Sequence, residues 1–279
     1  MRGTVQEYLD QWHTLRLPAR KPRTLEREEQ LIGQYITPSI GKLPLKALKP
    51  HHIAQLLADI ASTGHTRTAE QVYVLLRSAM DAKYMVGVLR PRHEAQERQV
   101  LTPEEQRKLK PYVMADPRAL EILLAWQLGM RRGEIRGLRW QDVDWAARQL
   151  HIRNQRQRVR GRDIDQSPKS KAGRRDLPIT GDLMRLFRTR AATAGYVTDL
   201  TDSGLRAAFQ RVCARASVPF IGLHGFRHTM ATNAVRGGVS LRVLQRMLGH
   251  QSVTTTAAIY AHVDADMIAD SVGRAWQCT

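Results

Sequence analysis

Apolar residues recur at helical spacing through the first part of the chain. Val5, Tyr8, Leu9, Trp12 and Leu15 fall on one face of a helix over residues 4–16, and Thr4 with Glu7 has the spacing of a capping box that opens it. Leu25, Leu31, Ile32, Tyr35 and Ile36 mark a second helix that starts after Thr24. It is expected to stop before Pro38, because the residue ahead of a proline is pushed out of the helical region. Ile40 to Leu45 then reads as a turn between helices. Ile53, Leu56, Leu57 and Ile60 give a third helix ending near Gly64, and Val72, Leu75, Leu76 and Ala79 give a fourth. Residues 1–90 are therefore expected to form a small helical bundle.

Residues 91–100 are polar and lack an apolar period, which makes them the expected linker. A second domain, residues 101–279, opens sharply: Thr102 is an N-cap, Pro103 sits at the first helical position and Glu105 completes a capping box. A strongly apolar helix follows from Ala119 to Leu128, ending at Gly129. In Met130 to Trp140, Ile135 and Leu138 are spaced as on one helical face. Between 149 and 179 the pattern changes. Leu150, Ile152, Val159, Ile164, Leu177 and Ile179 are scattered among charges and broken by Gly161, Pro168 and Gly173, which predicts a short antiparallel sheet with basic turns. Helical signals return at 181–194, at 202–216 and after 224. Ser240 caps a helix with Leu241, Leu244 and Leu248 on one face, and Gly249 ends it. The fold class expected is mainly α with a small antiparallel β-sheet.

Charge changes the picture more than composition does. A hydrophobic fraction of 42% and a charged fraction of 25% suit a globular chain, but 44 Lys and Arg stand against 26 Asp and Glu, a net charge of +18. Such a surplus attracts polyanions, DNA or RNA first, although a merely basic protein carries it too. The charge is spread along the chain rather than gathered on one amphipathic helix, which argues against a membrane-surface protein. Arg20, Lys21, Arg23, Lys46, Lys49, Arg67, Arg77 and Lys83 each read singly as solvated charges, and together they suit a surface that meets phosphates. Cys213 and Cys278 have no metal-ligand spacing and point to a reducing compartment. No signal peptide and no membrane-length apolar run is visible, so a cytoplasmic, nucleoid-associated protein is expected.

Breaking a phosphodiester without a metal requires a nucleophile, cationic donors for the non-bridging oxygens, and an acid for the leaving 5′ oxygen. Arginine suits the second task because its planar fork binds phosphate bidentately and stays charged. Tyr260 is the nucleophile candidate, although a phenol needs cationic neighbours and a helical tyrosine is more often packed in a core. His224 and Arg227 stand three apart, Arg131 follows Gly129, and His250 follows Leu248 and Gly249. Taken singly, each has an ordinary reading: a chance pair, a surface arginine, a cation at a helix C-terminus.

The combination is more specific. Gly-Met-Arg-Arg-Gly-Glu at 129–134, a basic hairpin, His-Gly-Phe-Arg-His at 224–228, Leu-Gly-His at 248–250 and a C-terminal Tyr260, in that order, resemble the tyrosine recombinases of the phage integrase family. The resemblance covers residues 101 to the end well. It is looser over the N-terminal bundle, which looks like that family's core-site DNA-binding domain beside an α+β catalytic domain. It implies that Arg131 and Arg227 clamp the scissile phosphate, that His224 and His250 support acid–base chemistry, that Tyr260 attacks phosphorus, and that Glu134 orients the first arginine. It also implies a hairpin lysine as general acid: Lys169, with Ser170 in place of threonine, is the nearer match and Lys171 the alternative.

As a function, the resemblance implies site-specific recombination through a covalent 3′-phosphotyrosine, without metal, ATP or other cofactor. The partner would be double-stranded DNA held in a C-shaped clamp by a homo-tetramer, with a monomer off DNA and accessory DNA-bending proteins as further partners. A tail helix over residues 264–278 would dock on a neighbouring subunit or on its own. Two departures stand out. The step from His250 to Tyr260 is one residue longer than the family usually has, and no small arm-site domain is expected ahead of the bundle. A type IB topoisomerase, or a DNA-binding relative impaired in catalysis, is the alternative reading.

Overall fold

The computed structural model of the protein describes residues 3–93, 99–168, 171–249 and 251. Lys169, His250, Tyr260 and Cys278 lie outside the described residues, as does the expected tail helix. The chain divides into two compact units, Met1–Gln96 with Val159–Gly161, and Glu97–Arg158 with Arg162–Thr279.

The first unit opens with α1 (Val5–Arg16), whose capping box is formed: Thr4 Oγ1 accepts from the Glu7 amide, and Glu7 accepts from the Thr4 amide at 3.0 Å. Helices α2 (Pro22–Leu31), α3 (Pro50–Ser62) and α4 (Thr66–Ala79) complete the α-helical part. Val5, Leu9, Ile36, Ile53, Val72 and Leu76 meet in its core, as their helical spacing requires. The expected stop before Pro38 is not observed. From Ile32 to Gly41 the chain continues as a π-helix with Pro38 inside it, and the turn expected from Ile40 starts only after Gly41. Proline is expelled from an α-helix because its ring meets the carbonyl four residues back. The wider π turn relaxes that clash, and burial of Ile32, Ile36 and Ile40 keeps the segment on the core. The eight basic residues named above are exposed. Beyond α4 the chain stays attached to it: Arg90 donates to Glu70 at 2.7 Å, and His93 hydrogen-bonds Thr66 at 3.1 Å.

In the second unit, α5 (Pro103–Met114) carries the capping box expected at Thr102 and Glu105. Helix α6 (Ala119–Trp126) is buried on every side and forms the centre of the core. Its one carboxylate, Glu121, is fully buried and satisfied by Arg190 and Thr198, each at 2.8 Å. Helix α7 (Arg132–Gly137) is short. Leu138 does not continue it as expected, because the chain turns extended there to pair with the segment around Tyr196: the Val197 amide donates to the Leu138 carbonyl at 2.9 Å. Arg136, 2% exposed, locks α7 in place through Asp163 at 2.8 Å and Asp202 at 3.0 Å.

The segment 149–179 forms two small sheets. Strands β1 (Val143–Asp144), β2 (Gln149–Ile152) and β5 (Arg175–Pro178) pair antiparallel in the order β1-β2-β5, while β3 (Gln155–Val159) and β4 (Arg162–Gln166) form a separate hairpin. Ile152 lies opposite Arg175 and Leu150 opposite Leu177, so the inward face of β5 carries an arginine. Helices α8 (Gly181–Arg190), α9 (Asp202–Arg215), α10 (Gly222–Arg236) and α11 (Leu241–Leu248) follow. Ser240 caps α11 through the Val243 amide, and Gly249, at φ 62, ends it in the left-handed conformation. Among the described residues, no helix is long and apolar enough to cross a membrane.

Candidate active site

The site is assembled at the C-terminus of α11. A helix end leaves its last carbonyls without intrahelical donors, and here arginines supply them. The Met247 carbonyl accepts from Arg175 Nε at 2.6 Å, the Leu248 carbonyl from Arg227 Nη2 at 2.5 Å, and the Gly249 carbonyl from Arg131 Nη2 at 3.0 Å. Three successive peptide units thus hold three guanidiniums from three different elements. The negative end of the α11 dipole favours all three.

Arg131 reaches the site from the N-cap of α7, just after the close of α6 at Gly129. Gly129 has φ 61, and a Cβ there would lie 2.2 Å from Met230 Cε and 3.1 Å from Leu248 Cδ2. Only glycine adopts this turn without strain and lets α10 and α11 approach so closely. The Gly129 carbonyl accepts from Arg227 Nη1, so the same turn that delivers Arg131 also orients Arg227. Arg227 projects inward from α10 and is 2% exposed, whereas the Arg131 side chain is 36% exposed.

Glu134 binds the group together. It is 3% exposed and accepts from the Arg131 amide at 2.8 Å, Arg131 Nη1 at 2.7 Å, and Arg175 Nη1 and Nη2 at 3.0 and 2.8 Å. Burial pushes its carboxyl upward, but the hydrogen bonds and charge of Arg175, followed by Arg131, outweigh that and bring it to about 2. Among the described residues, no carboxylate pairs with Arg227. Burial, and then the positive charge of Arg131, lower it to about 9, with Glu134 opposing the fall. It remains protonated at neutral pH, a buried cation whose charge would be favoured by an anion. A phosphate held by Arg131 and Arg227 would meet two forks fixed in advance, the condition for stabilising charge as it develops.

Of the six site residues expected, Arg131 and Arg227 are brought together. His224 lies in the first turn of α10, exposed, with its ring edge-on to His228 at 4.8 Å. Three residues apart on α10, His224 is exposed and Arg227 is buried. Lys169, His250 and Tyr260 lie outside the described residues. The backbone of the turn Lys171–Gly173 packs on the site: a Cβ on Gly249 would stand 2.8 Å from the Ala172 carbonyl. His250 follows directly on the three carbonyls in sequence.

Sequence reasoning passed over Arg175. Its signal was the alternation Arg175, Leu177, Ile179, inward, against Asp176 and Pro178, outward. On a half-buried strand, a charged residue in phase with the apolar positions points to a buried partner.

The pattern of the phage integrase family matches residues 94–267, more than half of the chain, and that of the phage integrase central domain matches residues 5–87. The chain belongs to the phage integrase family. Among curated relatives it is 29% identical, over 197 residues, to a tyrosine recombinase XerC-like protein of Caldanaerobacter subterraneus subsp. tengcongensis, covering 59% of this chain and 50% of that one. The chain spans about half the length of the curated relatives it matches. Two solved structures share the fold at 19% identity. One is the Tn1549 transposon integrase in complex with transposon right end DNA, with a TM-score of 0.74 over 97% of this chain and 99% of that one. The other is a lambda integrase tetramer bound to a Holliday junction, with a TM-score of 0.71 over 92% and 77%. The fold class of this integrase-family chain is therefore the one expected: mainly helical, with small antiparallel sheets, a helical N-terminal domain and an integrase catalytic domain.

Proposed function

We propose that this chain is a site-specific DNA recombinase that breaks and rejoins DNA through a covalent 3′-phosphotyrosine on Tyr260. The carrying observation is the pair Arg131 and Arg227, anchored to adjacent carbonyls, Gly249 and Leu248, immediately before His250. In this reading the two guanidiniums hold the non-bridging oxygens of the scissile phosphate. Tyr260 attacks phosphorus, and the hairpin lysine, Lys169 with Lys171 as alternative, protonates the leaving 5′ oxygen. His224 and His250 hydrogen-bond the phosphate and assist proton transfer. The phosphotyrosine conserves the energy of the broken bond, so rejoining needs neither ATP nor metal. The 5′ hydroxyl of a partner duplex reverses the step.

Strand exchange between two duplexes calls for a homo-tetramer on DNA. We assign residues 1–90 to core-site binding, 91–100 to the linker and 101–279 to catalysis. The exposed basic residues of the first domain would meet phosphates, positioning the protein without reading sequence. The cytoplasm, at the nucleoid, is the compartment this substrate implies.

The test is a suicide duplex nicked beside the cleavage site, which traps a covalent adduct. The unmodified chain forms the adduct and Tyr260→Phe does not. Mixing two labelled duplexes then separates recombination, which yields exchanged junctions, from topoisomerase-like relaxation, which does not. The extra residue between His250 and Tyr260 favours one second reading, a DNA-binding relative impaired in cleavage. An unmodified chain that binds its own site yet forms no adduct would support it.

A further inference from the structure

We infer that Arg175 is a positioning residue for DNA cleavage: acting through Glu134 and the end of α11, it sets where Arg131 and Arg227 stand. The inference rests on the recombinase reading above and adds a third arginine to it, one that does not touch the phosphate.

Every donor group of this side chain is engaged. Nε donates to the Met247 carbonyl, Nη1 to Glu134 Oε1 and the Gly173 carbonyl, and Nη2 to Glu134 Oε2. Arg175 thereby joins four pieces of chain: strand β5, the turn Lys171–Gly173, helix α7 through Glu134, and the end of α11. Glu134 in turn holds both the amide and the side chain of Arg131. The Leu248 and Gly249 carbonyls, which hold Arg227 and Arg131, directly follow the one that holds Arg175. Removing the Arg175 fork frees both supports at once. Arg175 is 8% exposed and spends its donors on protein, so it is a poor ligand for DNA and a good brace.

A lysine cannot replace it. An ammonium is a point charge and lacks the planar fork that meets Glu134 bidentately while Nε reaches a carbonyl. The charged groups facing Glu134 are Arg131, from the turn before α7, and Arg175, from β5; Arg227, from α10, interacts with it across the site. Without Arg175 the carboxylate loses its strongest partner and titrates at higher pH. Glu134 would then release Arg131 in mild acid, where the unmodified protein still holds it.

The experiment compares full-length unmodified protein, Arg175→Lys, Arg175→Gln, Glu134→Gln and the double variant Arg175→Gln/Glu134→Gln. It reads adduct formation on the suicide duplex, DNA affinity and thermal melting. Arg175→Lys is expected to slow adduct formation by about 100-fold, the size of loss that an ångström-scale misplacement brings, with DNA affinity unchanged. The acidic limb of the rate profile for Arg175→Gln moves to higher pH. The double variant is no slower than the worse single variant, and the melting shifts of the two single changes are not additive in it. Arg175→Lys cleaving at the unmodified rate, an acidic limb that does not move, or rate losses that multiply would each overturn the inference. If the unmodified chain makes no adduct, the recombinase reading falls separately. The melting cycle then still decides, and additivity there rejects coupling between Arg175 and Glu134.

Discussion

Replacing Glu134 by glutamine removes the charge around which the site is built while nearly preserving shape. Four hydrogen bonds reach the carboxylate, two from Arg131 and two from Arg175. Glutamine offers one oxygen and one NH2 group, so part of the site would face donor to donor, and the buried Arg175 would lose its counter-charge. Two routes give the magnitude. Breaking a buried ion pair from one side costs about 3–5 kcal/mol. Independently, lowering the carboxyl from 4.5 to about 2 corresponds to about 3 kcal/mol of preference for the ionised form. A loss of about 3 kcal/mol at neutral pH follows.

The pH dependence has a definite sign. The folded pKa is depressed, so the contribution is fully present above 4.5 and is lost as pH falls toward 2. The gap between unmodified protein and Glu134→Gln should therefore be widest at neutral pH and close across that acid window. Urea unfolding of the full chain at a series of pH values measures it, with Trp126 and Trp140 in the core of the second unit as fluorescence probes. Equal stability at neutral pH, or a gap that persists undiminished at the acid end, would refute the account of Glu134 as the ionised hub.

Three further outcomes are expected. Arg227→Lys keeps the charge but cannot span the Gly129 and Leu248 carbonyls as the fork does, so adduct formation should fall about 100-fold or more in single-turnover assays while the protein still binds DNA. Gly129→Ala places a methyl group against Met230 at a positive φ and should destabilise the protein by about 2–3 kcal/mol in urea unfolding, less if Met230 swings aside. Deleting residues 264–279 should abolish cooperative assembly on DNA and leave the melting transition in place; a truncated chain that still assembles cooperatively in gel-shift titrations would reject docking of the tail on a neighbour.

Local signals were legible in the sequence where the physics is local. The capping boxes at Thr4 and Thr102 and the glycine end of α11 lie where residue spacing put them, because each involves groups within a few positions. Pro38 misled because its constraint applies to the α-helix and the chain chose a wider turn there. Leu138 misled because pairing with the segment around Tyr196, far along the chain, outbid helical continuation. Arg131 and Arg227 were legible through the order of motifs, without any view of what holds them. Arg175 was not, since its partner Glu134 stands 41 positions away and neither residue says alone that it is buried. Nor did the sequence reveal that main-chain carbonyls hold Arg227, and share Arg131 with Glu134.

Support by main-chain carbonyls has an evolutionary consequence. A carbonyl is present whatever residue carries it, so drift at Met247 or Leu248 leaves the arginine contacts standing wherever packing survives. Length is another matter. Inserting or removing one residue in α11 turns its end by about 100° and shifts each carbonyl by one place in the series. Relatives should therefore vary freely in the exposed positions of this helix yet keep its length, and gaps should accumulate in the segment between α10 and α11.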